Sequence, residues 1–271
     1  MQIADLEKLR AIKNLIIDMD GVLYRGLEPL PGGREFLSYL RSEGVPFILA
    51  TNNSTLTPRQ YVAKLEAMDI QITEDHILTS GQATALYLAQ IASPPARVYA
   101  IGEEGLISAL EEQGFVLTGQ DVDFVVVGMD RQLTYEKLKI ASLAIRAGAT
   151  FIGTNPDTTL PTEEGLLPGN GVSLVALEAA TGVSPVVIGK PQPTLLRLAM
   201  EKMKATPDIT AIIGDRLETD ILGGKNLGLT TILVLTGISH REELYTSAYQ
   251  PNLVFDDIGR FHEAWRGEYE G

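Results

Sequence analysis

Short apolar runs rich in β-branched residues alternate along the chain with longer stretches whose apolar positions recur every three or four residues. The short runs are Leu15–Ile17, Pro46–Ala50, His76–Leu78, Val98–Ile101, Phe124–Val127, Thr150–Ile152, Val186–Ile188, Thr210–Ile213 and Thr230–Leu235. Runs of this length predict strands buried on both faces. Between them, Leu138, Ala141 and Ile145 fall at i, i+3 and i+7 and predict a helix over Tyr135–Gly148. Strands alternating with helices make βαβ units, so the pattern predicts an α/β protein with largely parallel sheets covered on both faces.

Ser93-Pro94-Pro95 and Gly182-Val183-Ser184-Pro185 read as loops, as does the Gly/Pro-rich Gly165–Gly171. There is no low-complexity segment and no convincing internal repeat. The segments able to carry chemistry lie before residue 81 and after residue 185. This predicts a discontinuous core, 1–81 with 185–271, interrupted by an inserted domain at 82–184. The insertion reads β-α-β-α-β-α from Val98 to Ala180, an α/β module of its own. Phe261 and Trp265, at i and i+4, are expected to pack inside a terminal helix.

Composition narrows the chemistry. The 271 residues include no cysteine, which excludes disulfide scaffolds, zinc-thiolate sites and cysteine nucleophiles. The three histidines, His76, His240 and His262, are scattered and receive no role. Asp and Glu number 35 against 22 Lys and Arg, a formal charge of −13 that disfavours nucleic acid and anionic lipid as partners. Met1–Lys13 has no continuous apolar segment of the secretory kind, and apolar runs such as Val122–Met129 are far short of the ~20 residues that span a bilayer. A cytoplasmic protein is the expectation.

Four strand ends hold the candidate chemistry. The first continues into Asp18-Met19-Asp20-Gly21, two carboxylates at i and i+2 followed by a residue that breaks the strand. In α/β sheets ligands bind beyond the carboxyl ends of strands. The same string also suits a plain turn; an EF-hand is excluded because Tyr24 and Arg25 do not continue its pattern. The second strand ends in Thr51-Asn52-Asn53-Ser54, small polar residues able to offer a hydroxyl and backbone N–H groups to an anion, or simply to form an Asx or ST turn. Lys190 lies between Gly189 and Pro191; a P-loop is excluded, since Ser184 stands where its first glycine belongs and Pro191 replaces its Ser/Thr. Gly224-Lys225 fails in the same way. The fourth end, Gly214-Asp215-Arg216-Leu217-Glu218-Thr219-Asp220, adds two more carboxylates. Carboxylate pair, hydroxyl, lysine and carboxylate pair, in that order, are the parts of magnesium-assisted phosphoryl transfer to an aspartate.

The order and spacing of these motifs resemble the haloacid dehalogenase (HAD) superfamily. The strings Asp-Met-Asp-Gly-Val-Leu-Tyr-Arg-Gly and Ala-Thr-Asn-Asn-Ser are similar to its subfamily IIA, the NagD-like branch, as are Thr79-Ser80-Gly81 and Gly153-Thr154-Asn155-Pro156-Asp157. The resemblance covers nearly the whole chain, with no departure at the four motifs. It implies a Rossmann-like parallel-sheet core with a C2-type α/β cap at 82–184, and a phosphatase acting on small phosphomonoesters. It further implies Asp18 as nucleophile, Asp20 as acid and then base, and Mg²⁺ held by Asp18, the Asp20 carbonyl and Asp215, with Asp220 ordering that shell. Thr51, Lys190 and the amides of Asn52 and Asn53 would bind the phosphoryl group beside Gly21. Asn155, Asp157 and Thr158 would face the leaving group from the cap, unless Asn155-Pro156-Asp157 is only a turn. Caps of this kind often form dimers, so a homodimer through the cap is a further expectation. A dehalogenase needs neither Asp20 nor Asp215, a non-catalytic binding protein has no need of an intact Asp18 and Asp20, and a phosphomutase stays open on motifs alone.

Overall fold

The computed structural model describes residues 3–92, 95–162 and 164–267. Ser93 and Pro94 of the first loop signal lie outside the described residues. All the runs read as strands form strands, with ends shifted by one residue at most. The predicted helix runs over Tyr135–Arg146, opened by the Thr134 hydroxyl accepting from Lys137 N at 3.3 Å and closed before Gly148, whose φ is 106°.

The chain forms two compact units. The first comprises Met1–Ala50, Tyr61–Leu78 and Leu196–Gly271. Its sheet runs in the order Leu253–Phe255, Thr230–Val234, Thr210–Gly214, Asn14–Ile17, Phe47–Thr51, Ile77–Thr79. Asn14–Ile17 lies parallel to both neighbours, with Ile17 opposite Ile213 and Leu49. Both faces of these strands are covered: every residue of Asn14–Ile17, Phe47–Thr51 and Thr210–Gly214 is buried. On one side, Phe36 from helix Gly33–Ser42 meets Phe261 from helix Ile258–Arg266 edge-on at 5.5 Å. Trp265 stacks on Phe261 at 5.8 Å and donates its indole N–H to Leu9 O at 3.0 Å, so it is a packing residue.

The second unit comprises Thr51–Gln60 and Thr79–Leu195. Its five strands run Val186–Val187, Thr150–Gly153, Phe124–Val127, Arg97–Ile101, Val116–Leu117, all parallel. Ile101, Val125, Val127, Phe151, Leu174 and Leu177 build its core. The second unit thus takes in 51–60, 79–81 and 185–195 as well as 82–184. The stretch read as a loop at Gly165–Gly171 is in part an antiparallel ribbon, Thr159–Thr162 with Gly165–Pro168. The strand Gly165–Pro168 is fully exposed, so main-chain hydrogen bonds hold it and no buried alternation marks it in the sequence. Among the described residues no helix is long and apolar enough to cross a membrane.

Candidate active site

In the first unit, Asp18 and Asp215 follow two adjacent parallel strands. Asp18 N donates to Ile213 O at 2.9 Å, which carries the ladder one residue past Ile17. The chain then turns: Met19 O accepts from the amides of Val22, Leu23 and Tyr24, and Gly21, at φ 81°, donates to Tyr24 O at 2.7 Å. Leu217–Ile221 forms one π-helical turn after Thr210–Gly214, and this brings Asp220 back beside the strand end. Gly214 makes that return possible, because a Cβ there would lie 2.2 Å from the Asp220 Cβ. The outcome is that Asp18, Asp215 and Asp220 each place a carboxylate oxygen within 4.8 Å of the others.

The cluster is only 9%, 5% and 1% exposed at these three residues, so water screens their mutual repulsion poorly. Asp215 Oδ2 accepts from Ile238 N at 2.7 Å, and Asp215 O from Ser239 N at 3.0 Å. Asp220 Oδ2 accepts from Arg216 N and from the Thr219 hydroxyl, both at 3.3 Å. Three anions on one spot with an all-oxygen donor set, and no thiolate or imidazole among them, fit a hard divalent cation.

Segment Thr236–Ser239 is part of this wall and was not singled out from the sequence. A Cβ on Gly237 would sit 1.8 Å from Asp215 Oδ2, and one on Gly21 would sit 2.4 Å from it. The Thr236 hydroxyl donates to Gly21 O at 2.6 Å. The available signal was a lone glycine three residues past the strand Thr230–Val234.

Asp20 keeps an exposed surface on its turn, but the protein around it is dense enough that desolvation raises its carboxyl pKa. Lys64, Arg25 and Arg216 oppose the rise. Lys64, also unmarked by the sequence, lies 3.9 Å over the ring of buried Tyr24, and its own pKa is lowered by desolvation against the pull of Asp20.

The second unit holds the other candidates. Thr51 Oγ1 accepts from Asn53 N at 3.1 Å, and Asn53 Oδ1 accepts from the Thr55 amide and hydroxyl at 2.9 and 2.8 Å. The Asn53 amide, expected to face the anion, is therefore used within the turn; an accepting hydroxyl such as Thr51 still keeps its proton to donate. Asn52 Oδ1 accepts from Lys190 N at 2.8 Å, and Asn52 Nδ2 donates to Lys190 O at 2.8 Å and to the Asp157 carboxylate at 3.1 and 3.2 Å. Lys190 is 2% exposed.

Asn155, expected to face the leaving group, sits among hydrogen bonds within the protein. It is buried, its Nδ2 donates to Asn52 O at 2.7 Å and its Oδ1 accepts from Asp157 N at 3.2 Å, so both ends of the amide are occupied inside the protein. Behind it, Asn170 Nδ2 donates to Asn155 O at 2.8 Å and reaches Val127 O and the Thr154 hydroxyl at 3.2 and 3.3 Å. Asp157 is half-buried, and Thr158 is exposed with its carbonyl accepting from Gly169 N at 2.9 Å. The histidines stand apart: His76 stacks on Phe47 at 4.5 Å, His262 packs on Tyr39 at 4.6 Å, and His240 caps the turn Arg241–Tyr245.

An α/β chain with a cation-fitting trio of aspartates at the carboxyl ends of parallel strands is the frame of a hydrolase that works through carboxylates. Residues 15–116 match the haloacid dehalogenase-like hydrolases, and residues 187–261 match the HAD-hydrolase-like family. The sequence is 43% identical over 251 residues to the acid sugar phosphatase of Staphylococcus aureus, covering 92% of this chain and 96% of that one. It is 44% identical over 250 residues to the 5'-nucleotidase YutF of Bacillus subtilis, covering 92% and 97%. The fold matches that of NagD from Escherichia coli K-12 with a TM-score of 0.86 at 35% identity, covering 92% and 97%. The chain belongs to the haloacid dehalogenase-like hydrolases, in the NagD-like branch that its motifs resemble.

Proposed function

We propose that this chain is a Mg²⁺-dependent phosphoric monoester hydrolase acting on small phosphomonoesters, sugar phosphates and nucleotides among them, through an aspartyl-phosphate. The observation that carries this reading is the convergence of Asp18, Asp215 and Asp220 within 4.8 Å. Relatives named for a sugar phosphatase and a nucleotidase support the substrate class.

In the proposed reaction an Asp18 oxygen attacks phosphorus, and the bond from phosphorus to the substrate oxygen breaks. Asp20 gives its proton to the leaving alkoxide; its raised pKa keeps that proton to higher pH than an ordinary carboxyl would. Water then attacks phosphorus, Asp20 takes up a water proton, and Asp18 is released as the carboxylate with inorganic phosphate. Thr51, the Asn52 amide and Lys190 bind the phosphoryl oxygens. Asp18, the Asp20 carbonyl and Asp215 would hold Mg²⁺, with Asp220 ordering them. When bound, the cation would offset the charge of two approaching anions, the nucleophile and the phosphoryl group. Residues 82–184 act as the cap that selects the leaving group and excludes water. The reading also takes the enzyme as cytoplasmic and as a homodimer through that cap, where Tyr135, Leu143 and Val175 leave apolar surface exposed.

Purified protein should release p-nitrophenol from p-nitrophenyl phosphate with Mg²⁺ and lose that activity when a chelator removes the cation. Halide release from a haloacid with no phosphatase activity would overturn the reading; a product that keeps its phosphate at another position would favour a mutase.

A further inference from the structure

The Asn52 side chain accounts for itself completely. A carboxamide carries two N–H donors and a carbonyl acceptor. Here one donor goes to Lys190 O, the other to the Asp157 carboxylate, and the carbonyl takes the Lys190 amide. Asn52 thus pairs with both main-chain groups of Lys190, as a neighbouring strand would. The contact is buried, and it demands a bare neighbour: a Cβ on Gly189 would lie 2.6 Å from Asn52 Oδ1. From behind, Asn52 O accepts from the Ser80 hydroxyl and from Asn155 Nδ2, which fixes the backbone that carries the carboxamide.

We propose that Asn52 is a positioning residue for Lys190, with Asp157 as the second post of the same clamp. The proposal rests on the phosphatase reading above and deepens it. A lysine ammonium hangs on a flexible four-carbon stem, so its placement is only as sharp as the anchoring of its own backbone. Holding Lys190 by both N–H and C=O supplies that anchor. Aspartate at 52 has the same shape but no donors, and it would face the Asp157 carboxylate with like charge. Leucine has the shape and neither donor nor acceptor.

The test is a double-mutant cycle on p-nitrophenyl phosphate at saturating Mg²⁺, with inorganic phosphate as competitive inhibitor and Tm recorded for each protein. The set is Asn52→Ala, Asn52→Asp, Lys190→Ala, Asn52→Ala with Lys190→Ala, and Asn52→Asp with Asp157→Asn. A misplaced lysine predicts that Asn52→Ala lowers kcat/KM by about 100-fold, with a matching rise in KM and in the phosphate inhibition constant. In the Lys190→Ala background the same change should cost less than about threefold, because the residue it positions is gone. The Asn52→Asp, Asp157→Asn exchange should recover part of the Asn52→Asp loss, since the pair is rebuilt in reverse while Lys190 O stays without its donor. If Lys190→Ala turns over too slowly to read, calorimetric binding of inorganic phosphate supplies the same cycle.

Multiplicative losses in the double variant, or a lower Tm with unchanged kinetics in Asn52→Ala, would overturn the clamp while leaving the phosphatase reading in place. Absence of phosphatase activity in the wild-type protein would overturn both.

Discussion

The two halves of the proposed machinery are built on opposite principles. In the first unit three buried carboxylates crowd together, walled by Gly21, Gly214 and Gly237, which leave no room even for a methyl group. In the second, neutral amides and hydroxyls of Asn52, Thr154, Asn155 and Asn170 bond one another around Lys190 and Asp157, while Asn170 Oδ1 is buried without a partner among the described residues. The first arrangement is repulsive within itself and gains from a cation; the second is held by its own hydrogen bonds and gains from being left intact. Loss of function should therefore separate from loss of stability in the carboxylate half, and the two should travel together in the amide half.

The largest expected effect is at Asp18. Asp18→Asn should reduce turnover of p-nitrophenyl phosphate by at least ~10³-fold. Its Tm without Mg²⁺ should equal or exceed the wild-type value, because one of three mutually repelling charges is gone. A large drop in Tm would erase the contrast between the halves. Next comes Gly237→Ala. The added Cβ meets Asp215 Oδ2 at 1.8 Å, so the carboxylate must move, and activity should fall about 100-fold with a higher Mg²⁺ concentration needed for half-activation. Gly119→Ala is the control, since its Cβ would find only ordinary contacts at 3.8 Å and beyond, and it should be nearly silent.

In the amide half, Asn170→Ala removes the side-chain donor to Asn155 O and one of two donors to Val127 O, which keeps Thr154 N. It should destabilise the protein by about 2 kcal/mol, read by denaturant unfolding, and lower activity in the same variant. The smallest effect lies outside both halves, at His76. Burial and nearby Arg41 lower its pKa below the ordinary 6.5. Its neutral form is the one the fold favours, so its contribution is complete above pH 6.5 and is lost as pH falls from there through the lower folded-state value. A slight decline in Tm between pH 7 and pH 5 should flatten in His76→Gln; an unchanged slope would remove His76 from the account.

Much of the fold was legible because the central strands, such as Asn14–Ile17, Phe47–Thr51, Phe124–Val127 and Thr210–Gly214, are largely apolar and buried; the half-exposed edge strand Val116–Leu117 left no such trace. The ribbon Thr159–Pro168 was not legible either, because exposed strands held by main-chain bonds leave no hydrophobic trace. The same division applies to the site. Asp18, Asp215 and Asp220 were visible because a carboxylate at the end of a buried strand is conspicuous, and the structure brings these three together. Gly237, Lys64 and Asn170 were hidden because their work depends on neighbours distant in sequence, which no local pattern encodes. Asn155, a polar residue beside a strand end, suggested ligand contact; its hydrogen bonds to Asn52 and Asp157 join residues far apart in sequence or turn on local geometry, and no sequence pattern marks them.

The central claim is that the carboxylate half performs the covalent step at Asp18. Enzyme quenched with acid during turnover and then treated with borohydride tests this directly, because an aspartyl-phosphate is reduced to homoserine at the residue that carried it. The account predicts homoserine at position 18 and at no other aspartate, dependent on substrate. Reduction at a different aspartate, or none at all from enzyme captured in active turnover, would contradict it.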